Sequence, residues 1–220
     1  MANQTISFNE NLYNYFQQHA YREEDLLKEL REETATLPEA VMQISPEQGA
    51  FMSMMVKLIG CENIIEIGTF TGYSSLCMSR SLPENGQLIA LDISEEWTSV
   101  AQKYWQKAKV DHLIELRLGS ATDSLNEMIE DQKQETIDLI FIDADKEAYL
   151  NYFESGMKLL KTGGAMLFDN VLWGGAVADE SDQSSSTVAI RKLNDVLIKD
   201  QRVDICMTPI GDGLTIIRKR

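Results

Sequence analysis

Two apolar runs in this chain end in side chains that can hold a cation. Residues 137–142 (IDLIFI) lead into Asp143-Ala144-Asp145-Lys146, and residues 165–168 (AMLF) lead into Asp169-Asn170. If the runs are adjacent parallel strands, Asp143, Asp169 and Asn170 meet at one rim of a sheet. Three oxygen donors suit a hard cation: Mg²⁺ first, with Ca²⁺ or Mn²⁺ as alternatives. Without a cation, converging carboxylates repel and one is driven toward protonation. Spacing alone leaves open the plainer reading of two strand-end acids facing water. Lys146 follows Asp143 by three residues, at the same rim. A lysine whose ammonium is disfavoured by nearby positive charge can act as a general base on a hydroxyl. The alternative is a solvated loop lysine.

A second cluster lies earlier. The segment Ile64-Ile65-Glu66-Ile67-Gly68-Thr69-Phe70-Thr71-Gly72-Tyr73-Ser74 reads strand, glycine turn, helix. Glycines there allow a tight turn and close approach of a ligand to the backbone. The three-glycine pattern that cradles a pyrophosphate is absent, because Gly68 is followed only by Gly72. Asp92 ends the next apolar run, 24 residues after Gly68. An acid at that point can accept hydrogen bonds from both ribose hydroxyls of a nucleoside. The turn and the acid together point to nucleoside binding, whereas each alone has a structural explanation.

These residues need elements to position them. Strands are expected at 63–67, 87–91, 114–118, 137–142 and 165–168. Helices are expected between them at 73–81, 95–108, 122–130 and 148–160. Alternation of this kind gives a parallel sheet with helices on both faces. The tail breaks the alternation: a helix at 188–199, then strands 202–208 and 214–218 joined by the turn-rich Pro209-Ile210-Gly211-Asp212-Gly213. A β-hairpin closing a parallel sheet accounts for it. Upstream, 8–35 reads as helical and 46–59 as a further helix with Pro46 in its first turn. The stretch 178–186 (ADESDQSSS) reads as a mobile polar loop. One domain over 1–220 is expected, with a helical extension at 1–60 and an α/β core at 61–220.

The chain has 220 residues and a net charge of −15, which disfavours nonspecific nucleic-acid binding. Three cysteines, Cys61, Cys77 and Cys206, offer no CxxC pair and read as reduced thiols in the core. No basic leader precedes an apolar run at the N-terminus, and no stretch reaches the roughly 20 apolar residues of a membrane span. A cytoplasmic protein is expected.

The motifs EIGTFTGYS at 66–74, FIDADK at 141–146, DN followed by VLW at 169–173, and PIGDGLTIIRK at 209–219 resemble those of the cation-dependent O-methyltransferases. That family includes the caffeoyl-CoA and catechol enzymes and many bacterial relatives, and the resemblance covers roughly residues 8–220. It implies a Rossmann-like class I α/β fold: a seven-stranded, mostly parallel sheet with an antiparallel last strand. It also implies roles. Glu66, Gly68 and Thr69 would line the methionine end of S-adenosylmethionine, with Ser74 at its carboxylate. Asp92 would hold the ribose, Ala121 the adenine through its backbone, and Ile44 would cover the cofactor. Asp143, Asp169 and Asn170 would bind the metal, with Asp143 and Asp145 near the cofactor amine. Lys146 matches the catechol enzymes' base, and Trp173 is placed to stack on an aromatic acceptor. A homodimer is the family's usual state.

Two departures weigh against a coenzyme A thioester as acceptor. The plant caffeoyl-CoA enzymes carry asparagine where this chain has Gly174, and they use a lysine near the N-terminus where here none precedes Lys28. The expected activity is methylation of a hydroxyl on a catechol-like or phenylpropanoid small molecule. Competing readings are a nicotinamide dehydrogenase, which lacks its pyrophosphate loop, a non-catalytic nucleoside-binding protein, and a hydroxyl methyltransferase of transfer RNA. Lys103, Lys107 and Lys109 would supply the last with a basic face.

Overall fold

The computed structural model describes residues 5–220. Residues 1–4, the start of the segment in which no leader is expected, lie outside them. Seven strands form one sheet in the order β3-β2-β1-β4-β5-β7-β6: β1 (Asn63–Ile67), β2 (Gln87–Asp92), β3 (Ile114–Leu118), β4 (Ile137–Ile142), β5 (Leu160–Phe168), β6 (Val203–Thr208) and β7 (Leu214–Lys219). Strands β1 to β5 pair in parallel, and β7 runs antiparallel to both its neighbours. The tail hairpin does not simply extend the edge. Its second strand inserts beside β5 and leaves β6 outermost.

The inner strands read as near-continuous apolar runs because helices cover both faces. Helices α6 (Ala121–Glu130), α7 (Tyr149–Leu159) and α8 (Ser185–Leu197) bury Leu125, Phe153 and Leu193 against Ile65, Ile140 and Met166. On the other face, α2 (Asp25–Thr34), α3 (Pro46–Ile59), α4 (Tyr73–Ser79) and α5 (Glu95–Ala108) bury Leu30, Met52, Leu76 and Tyr104 against Ile64, Leu139 and Phe141. Helix starts follow local chemistry: Ser45 caps α3 with Pro46 in its first turn, and Ser94 and Ser120 cap α5 and α6.

Three expectations are corrected. The region 8–35 is two helices, α1 (Glu10–His19) and α2, separated at Ala20–Glu24. The break is held open by Glu23, which accepts from Arg31 (2.9 and 2.8 Å) and from the Tyr73 hydroxyl (2.9 Å). Cys206 is exposed, because it sits on the outward face of the edge strand β6; Cys61 and Cys77 are buried. The serine-rich stretch is tied down: the Arg191 guanidinium donates to the carbonyls of Ala176, Val177, Asp179 and Asp182, and α8 already begins at Ser185.

The turn after β1 fixes how closely β1 and β4 approach at their carboxyl ends. Gly68 has φ 88°, and a methyl group there would overlap the Asp143 carbonyl. Gly68→Ala is expected to cost about 2–4 kcal/mol and lower Tm by several degrees, on the order of 4–16 °C. Thermal melts check this; an unchanged Tm would show that the rim has slack.

Candidate active site

The register of β4 and β5, with Ile142 beside Phe168, delivers Asp143 and Asp169 to the same rim. Asp169 is 2% exposed and accepts from its neighbour's N–H, Asn170 N, at 2.8 Å. Asn170 has φ 57°, a left-handed conformation that asparagine tolerates, and this turns its amide back toward the rim. Burial first, and then the Asp143 charge, push the Asp169 carboxyl up from its ordinary value. The two acids are therefore close enough to repel in a dry setting.

Lys146 answers that repulsion. It is 8% exposed, and its ammonium donates to Asp143 Oδ1 at 3.0 Å, to Asn170 Oδ1 at 2.7 Å and to the Tyr149 hydroxyl at 2.7 Å. It is no solvated loop lysine. The Tyr149 hydroxyl in turn reaches the carbonyls of Ile142 (3.3 Å) and Asp169 (3.2 Å). Burial, then the charge of Asp143, hold that phenol well above its ordinary pKa, so it keeps its proton. The Trp173 ring centroid lies 5.6 Å from the same ammonium. Asp145 sits apart, exposed, and accepts from the Tyr152 hydroxyl at 2.6 Å.

The donor set suits a hard cation. The Lys146 ammonium bridges the Asp143 carboxylate and the Asn170 amide oxygen, and the Asp169 carboxylate lies near enough to feel the Asp143 charge. Among the described residues no three His, Cys, Asp or Glu side chains form a metal cluster. The third oxygen here is an amide, Asn170, and the fit rests on that oxygen joining two aspartates.

Along the rim, Asp92 knits the glycine turn together. Its Oδ2 accepts from Thr69 N (2.9 Å) and Phe70 N (2.8 Å), and its Oδ1 from Ser94 N (2.8 Å). A carboxylate has about four acceptor positions, so a fourth remains. Glu66 is fully buried, and neither of its oxygens has a hydrogen-bond partner among the described residues. The hydroxyls of Ser74 and Thr69 stand close without closing a bond. Burial lifts the Glu66 carboxyl to about 8, outweighing those hydroxyls. A buried acid with unmet acceptors beside a left-handed glycine suits a polar ligand entering the turn. Ala121 is the first residue of α6, at the end of β3, and Ile44 packs on the α3 side of the core.

Sequence reasoning missed Tyr149 and Gln48. Gln48, on α3, is 1% exposed and lies beside Asp169, its amide nitrogen unpartnered among the described residues. Tyr149 was signalled only by its place three residues beyond Lys146, one helical turn away. The basic face is absent as such: Lys103 and Lys107 are paired with Glu33 and Glu29 of α2, while Lys109 caps the C-terminus of α5.

A family model described as O-methyltransferase matches residues 17–220. A caffeoyl-CoA O-methyltransferase of Medicago sativa is 42% identical over 205 residues, spanning 90% of this chain and 83% of the relative. An O-methyltransferase from Bacillus cereus, solved with SAH, is 31% identical with a TM-score of 0.85, covering 94% of this chain and 96% of that one. TomG from Streptomyces achromogenes, an O-methyltransferase involved in tomaymycin synthesis and solved with SAM, is 28% identical with a TM-score of 0.84, covering 95% and 96%.

The raised Glu66 carboxyl has a stability consequence. It ionises near 4.5 when unfolded and near 8 when folded. Between those values the folded chain holds a proton that the unfolded chain has lost, so stability falls as pH rises through the window. Glu66→Gln removes the titration. Its Tm relative to the parent is expected to climb as pH goes from about 5 to about 8, read by melts without cofactor. A gap that stays constant with pH would contradict the assignment.

Proposed function

The chain belongs to the O-methyltransferase family, and we propose that its S-adenosylmethionine-dependent methyl transfer goes to one hydroxyl of a catechol-like or phenylpropanoid small molecule, assisted by a divalent cation, most simply Mg²⁺. The observation that supports this is the Lys146 ammonium bridging Asp143 and Asn170, with the buried Asp169 next to Asn170 and near enough to feel the Asp143 charge. A dehydrogenase and a non-catalytic nucleoside binder fall away with the family. The Medicago sativa relative is named for a coenzyme A thioester. Gly174 and the absence of a lysine before Lys28 favour a smaller acceptor here.

In this reading the cofactor lies along the β1, β2 and β3 ends. Glu66, Gly68, Thr69 and Ser74 take its amino-acid end. Asp92 uses its remaining acceptor capacity for ribose, the Ala121 backbone meets adenine, and Ile44 closes the side. Asp143 would face the amine, and Asp145, which accepts from Tyr152, would stand farther out in the same cofactor shell. Bound S-adenosylmethionine would supply an electrophilic methyl on a sulfonium, with the neutral thioether as its leaving group. A divalent cation held by Asp143, Asp169 and Asn170 supplies Lewis acidity that lowers the pKa of an acceptor hydroxyl.

The chain's own residues do the rest. Lys146, after its ammonium has released one proton to solvent, would take the hydroxyl proton on Nζ, and Tyr149, within reach of two backbone carbonyls, keeps that nitrogen in place. Trp173 stacks on the aromatic acceptor and aligns its oxygen. Alignment of two held reactants contributes up to about 7–11 kcal/mol, more than a single proton transfer does. The exposed aromatic side chains on α1, Tyr13 and Tyr15, support a homodimer. Free Cys61 and Cys77, with no described helix long and apolar enough to cross a membrane, support a cytoplasmic setting.

Lys146→Met is expected to lower kcat by about 10²–10⁴ while leaving S-adenosylmethionine affinity intact by calorimetry. Asp143→Ala is expected to abolish metal-supported transfer to a catechol panel. Full turnover of Asp143→Ala in excess chelator would overturn the metal-assisted reading.

A further inference from the structure

The motif Pro209-Ile210-Gly211-Asp212-Gly213 carries no role in the mechanism above. It is the turn between β6 and β7, and it lies against the segment that follows Asn170. Val171 N donates to the Gly213 carbonyl at 3.1 Å and Leu172 N to the Asp212 carbonyl at 3.0 Å. Gly174 N donates to the Asp212 carboxylate, at Oδ1, at 2.7 Å. Gly213 has φ 86°, and a side chain there would press into Leu172. The turn and the segment therefore interlock.

The segment so held is conformationally costly. Trp173, Gly174 and Gly175 have φ of 50°, 58° and 89°, three left-handed residues in a row. A tryptophan enters that region rarely and stays only where its surroundings hold it. On the far side, Arg191 fixes the carbonyls of Ala176 to Asp182. Between these two clamps the Trp173 ring sits beside the Lys146 ammonium. The Gly174 N–H belongs to the peptide plane set by ψ of Trp173. Fixing that N–H fixes the plane from which the indole projects.

We infer that Asp212 is a positioning residue for the acceptor side of the site: by accepting the Gly174 N–H, its carboxylate holds Trp173 in its left-handed turn beside Lys146. This rests on the roles given above to Trp173 and Lys146. The requirement is for an acceptor oxygen and not for charge. Asparagine offers that oxygen at the same position, and alanine offers none.

The test uses the full chain labelled with ¹⁵N, in which the indole N–H signals of Trp97, Trp105 and Trp173 report separately once Trp173→Phe has assigned the third. In Asp212→Ala the Trp173 signal shifts or broadens while the other two stay, and in Asp212→Asn all three stay. With a catechol acceptor, Asp212→Ala raises the acceptor KM about tenfold. Its kcat falls as well, because Trp173 aligns the acceptor oxygen, while its S-adenosylmethionine affinity is unchanged. Asp212→Asn follows the parent. Asp212→Glu, which displaces the acceptor oxygen by one methylene, gives the same contrast should the alanine variant not fold. An unmoved Trp173 signal in the alanine or glutamate variant, or an asparagine variant as impaired as alanine, overturns the inference. The indole signals need no turnover. A parent chain inactive on every catechol would therefore refute the functional reading while the positioning test still gave its own answer.

Discussion

Two negative charges forced together at the dry rim of a sheet are the condition on which the rest of this molecule turns. Asp143 and Asp169 arrive there because β4 and β5 are adjacent, parallel and in register. At an effective dielectric of about 20, two unit charges about 4 Å apart interact by about 4 kcal/mol. That is a large part of the roughly 5–15 kcal/mol that holds a typical domain folded. Such an arrangement persists only where something positive compensates. Here Lys146, braced by Tyr149, does so from within the chain.

The same rim carries a polar end. Glu66, buried with unmet acceptors, and Asp92, bonded to three backbone N–H groups, frame a turn that Gly68 and Gly72 alone could make so tight. One stretch of sheet edge thus sets a polar turn beside a charged cluster, and the proposed nucleoside and cation sites rest on that arrangement. The helical layers do not reach this edge with their apolar cores. Their task is to hold the strand ends still, and the fully buried Phe141, Phe153 and Phe168 show how densely that is done.

Much of this was legible in the residues. Short apolar runs gave β1, β3 and β4 with their boundaries, since strands covered on both faces need no alternation to be recognised. Pro46 marked the start of α3. The break between α1 and α2 was hidden, because the force holding it open is a pair of contacts to Glu23 from Tyr73, fifty residues away, and from Arg31. The ordering of 176–182 was hidden for the same reason: composition reports polar residues, whereas the order comes from one arginine on α8 meeting backbone carbonyls. At the site, Asp143, Asp169, Asn170 and Lys146 could be brought together on paper from strand order alone. Tyr149 and Gln48 could not, because each looks like a core residue until its hydrogen-bonding atom is seen to face the acids.

The central claim is that the two aspartates and the amide form one cation site. Titration of the purified chain with Mn²⁺, followed by electron paramagnetic resonance of the free ion, tests it without any substrate. A single tight ion per chain, lost on Asp169→Ala and on Asn170→Ala, is the result this account predicts. Binding curves that are the same for the parent and both variants would contradict it.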